Sequence, residues 1–317
     1  MAKHQFRSVE ICAGAGGQAL GLELAGFTHE ALVEWEGPAC ETLRHNRPHW
    51  NVIHGDVKLF SGKKFRGVEL LAGGVPCPPF SKAGKQLGHN DERDLFPEAI
   101  RLVKEIKPIA VMLENVRGLL DPKFSEYREK IASDLKSLGY VVQWKLLHAS
   151  DFGVPQLRPR VICVALKKPA AKFFTWPEAT HKKPVTVGQA LKKLMGSNGW
   201  KGASTWAEQA NTIAPTLVGG SKKHGGADLG PTRAKREWKK LNVDGLGLAD
   251  EAPKESHEGL PRLTVKMAAI IQGFPITWQI TGKKTPAYRQ VGNAFPPPVA
   301  CAVGKAIHEA IKKYKNG

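Results

Sequence analysis

The sequence predicts an α/β protein built on a mostly parallel, doubly wound sheet, with a smaller irregular domain inserted in its second half. Three observations carry this. Short β-branched runs alternate with longer segments whose apolar residues recur at helical spacing, the pattern of parallel strands joined by helices that cover both faces of a sheet. A glycine cluster follows the first run directly. After Leu166 the periodicity fades, and the chain becomes rich in Gly, Pro, Trp and Lys.

In chain order, strands are expected at 7–12, 28–34, 51–54, 69–75, 109–115, 141–148 and 160–166, each a short run rich in β-branched or apolar residues. Helices are expected at 92–106 and 124–138, where the apolar spacing is three to four residues. Residues 1–166 then form a first domain, 167–262 an irregular second one, and 263–317 a return to the first. Regular structure resumes at 265–272, and a final helix over about 297–314 has the apolar pattern of one that packs back on the sheet.

The 317 residues are 42% hydrophobic and 24% charged, which excludes disordered and fibrous classes. The net charge of +18 points to a polyanionic partner. Residues 167–262 hold 17 Lys and Arg against 9 Asp and Glu, a net +8 over 96 residues, and the other 221 hold +10. Positive charge is thus nearly twice as dense in the insert. No run reaches the ~18 apolar residues of a membrane span, and no apolar signal region precedes the first strand, so a cytoplasmic location is expected. Five scattered cysteines, none spaced Cys-x-x-Cys, indicate neither a disulfide framework nor a zinc site.

Strand 7–12 runs into Ala13-Gly14-Ala15-Gly16-Gly17. Glycines there let the backbone turn sharply and approach a ligand at a helix N-terminus. The second strand ends at Glu34-Trp35, where a carboxylate can bind the vicinal hydroxyls of a ribose and an indole can stack on a purine. Asp56 follows the third strand. These residues indicate a nucleoside-containing cofactor, although Gly14-x-Gly16-x-x-Ala19 fits a nicotinamide or flavin fingerprint equally well.

Strand 69–75 ends in Gly74-Val75-Pro76-Cys77-Pro78. A cysteine between prolines cannot lie inside a helix, so Cys77 is presented on an extended loop, as a nucleophile would be. Strand 109–115 brings Glu114 to the same edge. In Gln156-Leu157-Arg158-Pro159-Arg160 the two arginines alternate, which places both on one side of an extended segment. A thiol, a carboxyl and a guanidinium at one edge suit addition to an electron-poor ring, with proton donation and a held exocyclic oxygen.

The order of these motifs resembles the DNA (cytosine-5)-methyltransferase family over nearly the whole chain. The match runs through the glycine loop, Glu34-Trp35, Gly55-Asp56-Val57, the Pro-Cys loop, Arg93-Asp94-Leu95-Phe96 and Glu114-Asn115-Val116. It continues through Gln156-x-Arg158-x-Arg160, Arg262-Leu263-Thr264, Gln272-Gly273-Phe274-Pro275 and Gln290-Val291-Gly292-Asn293. The resemblance implies a Rossmann-like S-adenosylmethionine-dependent methyltransferase fold and a target-recognition domain at 167–262.

It further implies a catalytic group of Cys77, Glu114, Arg160 and Arg158, with Cys77 adding to cytosine carbon 6. Cofactor contacts are implied for Cys12, Ala13, Gly14, Gly16, Gly17, Glu34, Trp35, Asp56, Val57, Pro76, Leu95, Asn293 and Phe295. DNA contacts are implied for Ser81, Lys85, Arg93, Gln156, Thr216 and Leu217. No metal is required, and attack on both ring faces implies base flipping. The chain departs from the family pattern at Cys12, where an aromatic is usual, and at Phe295, where a smaller residue is common. The expected partner is double-stranded DNA bound by a monomer, with a cognate restriction endonuclease acting on the same site without stable association. A transfer-RNA-methylating relative, a dinucleotide-dependent oxidoreductase and a non-enzymatic DNA binder are the alternatives.

Overall fold

The computed structural model describes residues 5–76, 94–219 and 226–317. Strands β1 (Phe6–Ile11), β2 (Phe27–Glu34), β3 (Val52–His54), β4 (Leu70–Gly74), β5 (Ala110–Val116), β6 (Tyr140–His148) and β7 (Pro159–Lys167) lie within one residue of their expected ends. They form one sheet in the order β3-β2-β1-β4-β5-β7-β6. All pairings are parallel except those of β7, which runs against both β5 and β6. The chain winds outward from β1 to β3 and then returns to place β4 beside β1. The crevice between those two strands at their carboxyl ends is the switch point at which such sheets bind ligands.

The sheet is filled on both faces, because successive strand residues point to opposite sides. Val9, Leu71, Val111 and Cys163 meet α3 (Phe96–Ile106) and α4 (Ser125–Ser137) through Leu102, Ile106, Ile131 and Leu135. Their neighbours Leu70, Ala72, Met112 and Val164 meet α1 (Gly17–Leu24) and the final helix through Leu22, Val299, Val303 and Ile307. Helix α2 (Gly37–Asn46) follows β2. Among the described residues no helix is long and apolar enough to cross a membrane.

The second half of the chain differs from expectation in two ways. First, the change of texture at 167 is not where packing on the sheet ends. Helix α5 (Lys168–Ala171) and Phe174 belong to the core between the sheet and the final helix, and the Trp176 indole donates to Gln143 Oε1 at 2.9 Å. Second, the insert is not wholly irregular. It holds α6 (Val187–Met195), α7 (Ala203–Gln209) and α8 (Thr232–Lys240). Their apolar anchors Leu191, Trp206 and Trp238 share a core with α9 (Val265–Ile271) and α10 (Lys284–Asn293), which supply Met267, Ile271, Tyr288 and Val291. That core also takes in Ala15, Leu20 and Leu43 from the first domain. The segment after 262 therefore completes the insert's core, and the chain rejoins the sheet with α11 (Pro297–Asn316).

Helices α1 and α11 approach closely at Gly21, where a Cβ would lie 2.4 Å from Ala300 Cβ and 2.6 Å from the Pro297 carbonyl oxygen. Gly21→Ala is expected to cost about 1–3 kcal/mol or more by overpacking, read as a lower urea midpoint. An unchanged midpoint would contradict this helix contact.

Candidate active site and cofactor crevice

At the carboxyl end of β1 the chain turns through Cys12, Gly14 and Gly16 at φ of 54°, 54° and 84°. Ala13 donates to the Val33 carbonyl, which ties the turn to β2. Gly17 begins α1 with the Phe295 carbonyl oxygen 2.0 Å from where its Cβ would be, so no larger residue fits. Above Gly14 the space is open, with nothing within 4 Å of such an atom. Burial, reinforced by Glu34, Glu10 and Asp56, pushes the Cys12 thiol up, so it stays protonated.

Glu34 closes β2 with its carboxylate already oriented. Oε2 accepts the Gly14 N–H and Oε1 the Glu36 N–H, both at 2.7 Å. Burial raises its pKa, and those backbone bonds pull the other way. Trp35 beside it is 61% exposed, a free face at the mouth of the crevice. A cavity of about 570 Å³ opens at the ends of β2 and β3, lined by Val33, Ile53, Gly55, Asp56, Leu59 and Phe60 among others. Asp56 caps the following turn through the Lys58 N–H, and Val57 is buried in the core behind it. The cavity walls Leu59 and Phe60 were missed in the sequence, since only the position of the turn brings them to the third strand's end. Leu95 is partly buried and packs against the same core as Cys12 and Ile53.

The second group of residues sits across the switch point. Glu114 is the fifth residue of β5, paired with Gly74 of β4 and Ile162 of β7. Because β7 is antiparallel, its beginning reaches this edge, and Arg160 lies opposite Val116. Arg160 Nε donates to Glu114 Oε1 at 2.7 Å, with both side chains 12% exposed. Glu114 Oε2 is turned toward Gly74, 3.4 Å from where a Cβ would stand. Burial raises the Glu114 pKa against the pull of Arg160 and Arg158. The Asn115 amide donates to the Val75 carbonyl at 3.3 Å and so anchors the strand end that leads through Pro76 to Cys77. Cys77, Ser81, Lys85 and Arg93 lie outside the described residues.

Several expected site residues have other surroundings. Arg158 is enclosed, whereas Arg160 meets Glu114. Gln156 pairs with Ala214 before β7 begins, and the Arg158 residue is only 1% exposed. Gln156 and Leu217 are buried as well, at 0% and 1%, and cannot touch DNA directly in this structure. Thr216 is partly open, its hydroxyl donating to the Leu157 carbonyl. Asn293 is exposed at the end of α10, whereas the Phe295 ring lies in the core beneath α11, leaving its backbone against the cofactor loop.

The family described as C-5 cytosine-specific DNA methylase matches residues 6–309. The chain belongs to that family. This methyltransferase is 60% identical over 312 residues to the Type II methyltransferase M.NgoMIV of Neisseria gonorrhoeae, covering 98% of this chain and 99% of that one. It is 58% identical over 315 residues to the Type II methyltransferase M.NaeI of Lentzea aerocolonigenes, covering 98% and 76%. In fold it is similar to a Spodoptera frugiperda DNMT2 structure, with TM-score 0.66, 19% identity, and 96% and 99% of the two chains covered. The enzyme is thus a DNA cytosine-5 methyltransferase, of a family whose methyl donor is S-adenosylmethionine.

The residues of the crevice fit that donor. A pre-oriented carboxylate suits ribose hydroxyls, the apolar-walled cavity suits a purine, and the open space above Gly14 leaves the backbone accessible. Beneath the loop, the side chains of Glu10 and Gln18 are buried with no hydrogen-bond partner among the described residues. Burial, then Glu34, raise the Glu10 pKa well above its ordinary value, so the folded state binds this proton more tightly than the unfolded one. That contribution to stability is complete below the unfolded pKa near 4.5 and is lost as pH rises toward the folded value. The melting temperature of Glu10→Gln minus that of the unaltered protein should therefore increase as pH is raised from 4.5 to 8. Parallel melting curves across that range would rule out a strained buried carboxyl.

Proposed function

We propose that this methyltransferase modifies a cytosine flipped out of a short, specific double-stranded DNA sequence, through a transient covalent bond from Cys77 to the base. The observation that carries this reading is the buried Glu114–Arg160 pair facing the same edge as the glycine loop and Glu34. In this scheme the Cys77 thiolate adds to carbon 6, which makes carbon 5 electron-rich. Glu114, held at Oε1 by Arg160, keeps Oε2 for ring nitrogen 3, and its raised pKa favours sharing a proton there. Arg160 balances the charge that develops on the ring and its carbonyl oxygen. Bound S-adenosylmethionine supplies an electrophilic methyl group to carbon 5. Loss of the carbon 5 proton and expulsion of the Cys77 thiolate then restore the aromatic ring. The base must leave the stack because both of its faces are used.

Glu34 would hold the ribose hydroxyls, Trp35 and the Ile53–Phe60 wall the adenine, and the Cys12–Gly17 backbone the amino-acid end. Pro76, Leu95 and Asn293 would border the same crevice. Ser81, Lys85, Arg93 and Thr216 are proposed to meet the DNA, aided by the basic surface of the insert. The names of the relatives, Type II methyltransferases, support a protective role against a cognate endonuclease that acts on the same site without stable association. A cytoplasmic monomer acting on chromosomal DNA fits this role.

Labelled S-adenosylmethionine incubated with the enzyme should mark carbon 5 of cytosine in duplex DNA and not in transfer RNA, with Cys77→Ala reducing incorporation to background. Label confined to RNA, or label retained by the variant, would sink the proposal. Glu34→Ala should weaken S-adenosylmethionine binding by about 1.5–3 kcal/mol through loss of charge-assisted hydrogen bonds. Calorimetric titration gives this directly, and equal affinities would remove Glu34 from the ribose site.

A further inference from the structure

Four segments far apart in sequence meet around one buried guanidinium and the neighbouring Gln156 amide. Arg158 Nη1 donates to the Leu217 carbonyl at 2.8 Å, and Nη2 donates to the Gly292 and Ala294 carbonyls at 2.7 and 3.0 Å. Gln156 completes the junction. Its Oε1 accepts the Leu217 N–H at 2.8 Å, and its amide donates to the Ile271 carbonyl at 3.1 Å and to Gln272 Oε1 at 2.9 Å. Gln272 in turn donates to the Ala294 carbonyl.

Steric contacts leave this junction little slack. A Cβ on Gly292 would lie 2.3 Å from the Gly219 nitrogen, and one on Gly219 would lie 2.5 Å from Asn293 Oδ1 and 2.6 Å from the Arg289 carbonyl oxygen. Two backbones therefore touch directly, Leu217–Gly219 from the insert and Gly292–Ala294 from the end of α10. One residue on, the Phe295 carbonyl presses on Gly17, where the cofactor loop becomes α1. A shift of the insert segment must either move the backbone that abuts the cofactor loop or break charge-assisted hydrogen bonds in the interior. Such bonds are the stronger kind, and a buried group left without them pays its full desolvation cost.

We propose that Arg158 is a positioning residue that couples DNA engagement by the Thr216–Gly219 segment to cofactor binding at the Cys12–Gly17 loop. It touches neither ligand. It holds both backbones in the one arrangement in which each site is complete, so that filling one site favours the other, reciprocally. The inference rests on the proposed role of the insert in recognition, and its test separates the two.

The modified site is first located by bisulfite sequencing of DNA from cells expressing the enzyme, and a short duplex carrying it serves as the probe. Absence of any modified site would overturn the proposed function itself. The Kd of S-adenosylhomocysteine is then measured with and without saturating duplex. The ratio of the two constants is the readout, because an inactive fraction of protein scales neither Kd. The unaltered enzyme should show a ratio of about five or more, within the usual range of site coupling. Arg158→Lys, which keeps the charge and loses the fork, should bring the ratio below about two. Gly219→Ala should do the same while leaving the buried cation in place, and it decides the matter if Arg158→Lys does not fold. A ratio near one in the unaltered enzyme, or the full ratio retained in Gly219→Ala, overturns the proposal.

Discussion

The direction of one strand brings together the two charged groups on which the proposed chemistry rests. Were β7 parallel to its neighbours, its first residues would lie at the far edge of the sheet, away from the end of β5. Its reversal brings Arg160 opposite Val116 and within 2.7 Å of Glu114. The short connection from β6 to β7 is what allows the reversal, since antiparallel neighbours need no helical crossover. The parallel strands put their carboxyl ends at one edge, and the antiparallel one adds a residue from its beginning.

Burying this pair costs solvation on both sides. Glu114 is raised and Arg160 lowered in pKa by burial, each offset by the other. A buried ion pair is weak evidence of added stability, because desolvation consumes much of the attraction. In the proposed reaction its value would lie in having charges in place before the base arrives, so that little reorganisation would be left. The same economy holds for Glu34, whose two backbone bonds fix the carboxylate ahead of any ligand.

The insert is less separate than a domain of opposite texture suggests. Its helices pack on α9 and α10, and its core extends to residues beside the cofactor loop. Its excess charge suits phosphate binding, which carries affinity without sequence information. Gln156 and Leu217 are enclosed.

Much of the molecule was legible in the sequence because its signals are local. Period-two and helical apolar patterns located the strands of the sheet, and the glycines and acidic residues near the strand ends fall at one edge of it. The helices α6 to α8 were missed because their apolar residues are few and pack against a distant part of the chain, so no long amphipathic pattern announces them. The two arginines show the limit most clearly. Alternation gives their parity along an extended chain, but it says nothing of the acceptors that each guanidinium meets. Arg160 enters β7 and meets Glu114, while Arg158 turns inward to carbonyls 59, 134 and 136 residues away. The sequence by itself determined the strands and brought the glycine loop, Glu34, Glu114 and Arg160 near their ends. Only the tertiary structure decided which guanidinium pairs with Glu114 and which binds backbone carbonyls, because that choice depends on acceptors that folding alone brings near.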